Sequence, residues 1–94
     1  MRAEQEDKTI FVGKKPVMNY VLACLTMFQN GSSEVILKAR GLAIAKAVDT
    51  AQITTQRFAP DVSVKGIKIG TEEVNDQDSD STSSISSIEI RLSK

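Results

Sequence analysis

The sequence predicts an α/β sandwich of order β-α-β-α-β-β, with two helices on one face of a four-stranded mixed sheet. Two segments, 17–28 and 42–58, repeat apolar residues every three to four positions. Short β-branched runs precede and separate them, and two alternating apolar segments close the chain. A right-handed crossover then makes the first two strands parallel neighbours.

Each element has its own signal. Thr9-Ile10-Phe11-Val12, ended by Gly13, is a β-branched and aromatic run that predicts the first strand. Pro16 suits the first helical position, where its missing N–H costs nothing. Val17, Tyr20, Val21, Cys24, Leu25 and Phe28 then form one apolar helix face, stopped by Asn30-Gly31. Glu34-Val35-Ile36-Leu37-Lys38 fits a central strand covered on both faces, and Arg40-Gly41 closes it. Ile44, Ala47, Val48, Ala51 and Thr55 trace a second stripe, small enough for close packing on a sheet, which ends near Phe58 before Pro60. Val62, Val64, Ile67 and Ile69 change phase at Lys65-Gly66, predicting a long strand with a bulge at Gly66. Ile88, Ile90 and Leu92 alternate as the last strand. The Asp/Ser/Thr-rich stretch 72–84 exceeds an ordinary hairpin loop, so it is either a mobile functional arm or disordered.

The domain organisation expected is a flexible acidic N-terminus over 1–8 and a single domain over 9–94. Ninety-four residues, 40% of them hydrophobic, support one modest core and exclude a multidomain enzyme. With no His and Cys24 as the one cysteine, an intrachain disulfide, a Cys/His zinc site and a histidine-dependent triad are all excluded. Cys24 lies in an apolar stretch and fits a buried structural thiol. Asp76-x-Asp78-x-Asp80 imitates the opening of a calcium loop, but Ser81 stands where glycine is needed and Ser87 where glutamate is needed. Gly13-Lys14-Lys15 lacks the spaced glycines and following Ser/Thr of a nucleotide site. No catalysis, cofactor or metal is expected. The start lacks an apolar signal region and no run approaches the roughly 20 residues of a bilayer span, which predicts a soluble intracellular protein with no membrane partner. Asn30-Gly31-Ser32 matches the glycosylation pattern by chance on that reading.

The formal net charge of 0 conceals segregation: residues 1–7 carry −2, residues 8–68 carry +6 and residues 69–94 carry −4. Lys14 and Lys15 lie in the first strand-to-helix loop, Lys38 and Arg40 at the end of the second strand, and Lys46 near the start of the second helix. Loops after parallel strands emerge at one end of a sheet, so Lys14, Lys15 and Arg40 should converge beside the helix starts, where four or five cations and two helix N-termini would make a phosphate-binding surface. The plain alternative is a set of solvated surface lysines. Tyr20, one turn into the first helix, either offers its ring edge or hydroxyl to nucleic acid or packs in the core. Phe58, beside Arg57, either closes the core or stands exposed as a contact for another subunit.

The runs Gly13-Lys14-Lys15-Pro16-Val17-Met18-Asn19-Tyr20-Val21-Leu22-Ala23, Lys38-Ala39-Arg40-Gly41, Ala43-Ile44 and Lys46-Ala47-Val48-Asp49-Thr50 closely resemble the Alba family of small archaeal chromatin proteins. The resemblance extends over about 9–69, with Ser87-Ile88-Glu89-Ile90 also fitting. It implies a non-enzymatic homodimer, cytoplasmic and chromosome-associated, whose loops and helix starts contact the phosphates of duplex DNA and RNA. It also implies hairpin arms that reach along the minor groove. Lys14, Lys15, Tyr20, Arg40 and Lys46 are the implied nucleic-acid residues, and Lys14 the implied acetylation target. Arg57 and Phe58 are the implied dimer-to-dimer contact in DNA condensation. Two departures bear on strength. Leu42 replaces an expected cation, and the 72–84 arm carries five carboxylates and no Lys or Arg, which predicts weak or selective binding. The alternative function is a protein-interaction module of a ribonucleoprotein or regulatory complex, with the acidic arm recruiting a basic partner.

Overall fold

The computed structural model describes residues 8–75 and 82–94; Asp76, Asp78 and Asp80, and most of the acidic N-terminus, lie outside the described residues. The elements are β1 (Thr9–Phe11), α1 (Val17–Gln29), β2 (Glu34–Arg40), a 3-10 turn (Gly41–Ala43), α2 (Ile44–Ile53), a π turn (Thr54–Phe58), β3 (Ser63–Asn75) and β4 (Thr82–Ser93). The sheet order is β1-β2-β4-β3, with β1 parallel to β2 and the other pairs antiparallel. This is the predicted mixed sheet. Among the described residues no helix is long and apolar enough to cross a membrane.

Local chemistry sets the boundaries. Pro16 stands one residue before α1 rather than in it, in extended backbone at ψ 150°. Gly31, at φ 104°, ends the helix: Ser32 N donates to the Met27 carbonyl and Gly31 N to the Phe28 carbonyl, the paired bonds of a Schellman stop. Gly41, at φ 57°, takes the left-handed conformation that turns the chain out of β2 into the 3-10 turn leading to α2. The second predicted helix is therefore composite, with a 3-10 entrance and a π exit.

The core lies between the helices and one sheet face. Val35, Leu37 and Ala39 of β2, Ile90 and Leu92 of β4, and Val21, Cys24 and Phe28 of α1 are buried; Ala47 and Ala51 bring α2 close. Truncating a residue such as Leu37 to Ala would cost about 2 to 5 kcal/mol. The bulge falls as expected: Val64 pairs with Leu92 and Gly66 with Arg91, leaving Lys65 as the extra residue.

The last two strands are longer than the sequence predicts. β4 starts at Thr82 and β3 runs to Asn75, so much of the expected 72–84 loop is paired strand, with Glu72 opposite Ile85 and Glu73 opposite Ser84. Backbone pairing needs no apolar alternation when neither side of a ribbon is buried, and the polar sequence conceals it.

Candidate nucleic-acid interface

The basic residues gather where the chain leaves β1 and β2. Because these strands are parallel, the 13–16 loop and Arg40 emerge at the same end. Val12 N donates to the Lys38 carbonyl at 2.8 Å, fixing the base of the loop. The Tyr20 hydroxyl accepts from Gly13 N at 2.9 Å and Lys15 N at 3.1 Å. The Lys46 ammonium donates to the Lys15 carbonyl at 2.8 Å, tying α2 to the loop from the other side. Lys14 and Lys15 are themselves exposed, and among the described residues neither side chain enters an ion pair. The first turn of α1 has no side-chain cap, so its leading amides add partial positive charge beside them.

Tyr20 therefore supports the loop from beneath. The residue is only 8% exposed and packs in the core, so little of it is open to a ligand. Burial raises the phenol pKa, but the two donated hydrogen bonds and the charges of Lys46 and Lys15 outweigh it, and the group lies below its ordinary value. Sequence periodicity places Tyr20 on α1 but holds no signal for which polar atoms its hydroxyl meets. Lys46 likewise divides its donors between the loop backbone and solvent.

Arg40 and Lys38 are engaged differently. Alternate residues of β2 point away from the helices, onto the uncovered sheet face. There the Arg40 Nη1 meets the Glu72 Oε1 at 2.9 Å, and Lys38 Nζ lies 4.0 Å from the Glu89 Oε1 and 6.0 Å from the Phe11 ring centre. Arg91 and Lys8 both pair with Glu34. The open face is thus a ladder of opposite charges, and Lys38 does not join the loop cluster. Leu42, in the 3-10 turn, is fully exposed.

The strand directions also place the arm. β3 runs the same way as β2, and the Arg40–Ser87–Gly70 register marks where β2 stops. Beyond it, residues 71–75 and 82–86 continue as a two-stranded ribbon, projecting about 17 Å from the basic end at about 3.4 Å per residue. Glu72 and Glu73 are the ionisable residues of that paired stretch.

At the far end of α2, Phe58 is 51% exposed and Arg57 is exposed beside it on the π turn. Phe58 does not close the core; Val62 and Ala59 do. Cys24 is fully buried, and that burial pushes its thiol up to about 11, which leaves almost no thiolate at neutral pH.

Comparison with known proteins gives a consistent result. The Alba family model matches residues 8–71. The chain is 54% identical over 88 residues to the DNA/RNA-binding protein Alba 1 of Archaeoglobus fulgidus, covering 94% of this chain and 97% of that protein. It is 52% identical over 89 residues to the DNA/RNA-binding protein Alba of Thermoplasma acidophilum, covering 95% and 98%. The solved structure of Alba from Thermoplasma volcanium superposes with a TM-score of 0.84 at 50% identity, over 92% of this chain and 99% of that one.

Proposed function

The chain belongs to the Alba family, and from that premise we propose that it is a non-catalytic protein that binds the phosphate backbone of duplex DNA and of RNA in a chromosome-associated setting. The observation that carries this reading is the 13–16 loop. It presents Lys14 and Lys15 as exposed cations outside any ion pair among the described residues, with its backbone braced by Tyr20 and Lys46. A solvated lysine pair needs no such bracing, whereas a phosphate site gains affinity from a loop already in shape. Lys14, exposed at the front of that loop, is the position where acetylation would remove a charge from the site.

The proposal includes a homodimer. Ile67 stands opposite the core residue Ile90 and Ile69 opposite Ile88, which packs against the core, so both lie on the helix side of the sheet, yet they are 62% and 77% exposed because β3 is an edge strand. Val64 on the same strand and Val48 on α2 are also exposed. A second copy covering this face would remove apolar surface from water and double the number of basic loops on one particle. Arg57 and Phe58 are proposed as the contact between such dimers on DNA.

The deciding experiment is a salt titration of binding to a random-sequence duplex. Affinity should fall linearly on a log-log plot as salt rises. An intact dimer that binds no duplex at low salt sinks the reading. Capture of a basic protein by the acidic ribbon under those conditions would then favour an interaction module.

A further inference from the structure

We propose that Glu72 is a further residue of the binding site, a built-in competitor that occupies Arg40 until a nucleic-acid phosphate replaces it. The inference rests on the nucleic-acid reading above and concerns how Arg40 takes part in it.

The contact is built by the sheet. Arg40 pairs with Ser87 and Ser87 with Gly70, so the three residues lie in one row across β2, β4 and β3. Glu72 is two residues beyond Gly70 and returns to the same face. Arg40 reaches it past Gly70 and Ser87, the small residues of that row. These two pack closely, since a Cβ on Gly70 would lie 3.3 Å from the Ser87 Oγ. A concavity of about 440 Å³ on the open face is lined by Arg40, Gly70, Glu72 and Ser87 among others, so the ion pair can be approached from solvent.

The chemistry is an exchange of anions. A guanidinium matches a carboxylate and a phosphate with the same planar fork of donors, and Glu72 already holds Nη1 at 2.9 Å. Both side chains are largely exposed, so the pair is weak enough to open. Arg40 then contributes to binding only the difference between the two anions. Lys14 and Lys15, outside any ion pair among the described residues, contribute their full attraction to any polyanion. Arg40 instead favours a ligand that sets a phosphate oxygen close to the base of the ribbon, where Glu72 must be displaced. Glu72 thereby adds a geometric condition to an otherwise diffuse electrostatic site.

Glu73 supplies the control. It is one residue away, faces the other side of the ribbon, opposite Ser84, and takes part in no ion pair among the described residues. Binding of a short random-sequence duplex is measured across a salt series for the wild type, Glu72→Gln, Glu73→Gln and Arg40→Ala with and without Glu72→Gln. Glu72→Gln should tighten low-salt binding about two- to five-fold and steepen the log-log slope by up to roughly 0.9 per protomer. Glu73→Gln should give a clearly smaller gain, and Glu72→Gln should give little in the Arg40→Ala background. Equal gains from the two glutamines, or a gain that survives removal of Arg40, would reduce Glu72 to general repulsion and overturn the proposal. Weaker binding by Glu72→Gln would overturn it in the other direction, making the carboxylate a support for Arg40. A wild type that binds no duplex at all removes the nucleic-acid reading and this inference with it, whereas a binding wild type indifferent to Glu72→Gln removes this inference alone.

Discussion

The Tyr20 hydroxyl lies 3.1 Å from the Lys15 amide nitrogen and accepts its hydrogen bond, so a side chain rooted in the core sets the shape of an exposed basic loop. Tyr20→Phe keeps the ring and deletes the acceptor. It should destabilise the fold by about 1 kcal/mol and accelerate hydrogen exchange at the Gly13 and Lys15 amides. Duplex affinity should fall modestly with an unchanged salt slope, because no charge is removed. Unchanged exchange at those two amides would show that the loop holds its shape without the phenol.

Tyr20 is also the sole tyrosine, which makes its ionisation directly visible by phenolate absorbance. The midpoint should lie below the ordinary value of 10.0, and Lys46→Ala should move it upward. Because the folded value is the lower one, ionisation stabilises the fold fully above the unfolded pKa, and that stabilisation disappears as pH falls through the folded pKa. Stability at neutral pH is therefore unaffected by this ionisation. A midpoint above 10.0 would mean that burial outweighs the amide donors and the lysines.

Lys14 and Lys15 should act as point charges against the duplex backbone. Alanine at either position is expected to weaken all duplex sequences alike and to flatten the log-log salt slope by roughly 0.9 for each phosphate left without its cation. Lys14→Gln, which imitates acetylation, should match Lys14→Ala. A slope that does not move would take the residue out of the interface.

How much of this architecture is legible in the sequence depends on the kind of interaction. Element order and sheet parallelism follow from periodicity and handedness, and the bulge follows from a phase change at Lys65-Gly66. The same reasoning brings Lys14, Lys15 and Arg40 to one end. It cannot foresee Glu72 against Arg40 across 32 residues, or Lys46 on the Lys15 carbonyl across 31, since these pairs depend on side-chain reach over a finished sheet. The ribbon escapes sequence reading for a related reason. Solvent-exposed strands such as 71–75 are held by backbone bonds, which leave no apolar pattern in the sequence.

Phe58 separates assembly from folding. If its half-exposed ring joins one dimer to the next, Phe58→Ala should abolish cooperative filling of long DNA while leaving affinity for a short duplex nearly intact. Surface truncations away from special features change stability by about 0.5 kcal/mol or less, against about 3 to 5 kcal/mol for a core phenylalanine. A large drop in thermal stability would therefore place the ring in packing that matters to the fold.

The dimer face can be tested through Ile67. As an exposed residue on the edge strand of an isolated chain, Ile67→Glu should be tolerated within about 0.5 kcal/mol, because the new carboxylate stays in water. In a dimer that buries β3 the same carboxylate must be desolvated without a partner, which is costly enough to shift the equilibrium strongly to monomer. Sedimentation equilibrium should accordingly show a dimer for the wild type and a monomer for the variant. Duplex binding follows from the same change: a monomer carries one basic loop instead of two, so its salt slope should fall toward half the wild-type value. A variant that stays dimeric with an unaltered slope would move the interface away from β3 and leave Ile67 and Ile69 without the partner proposed for them.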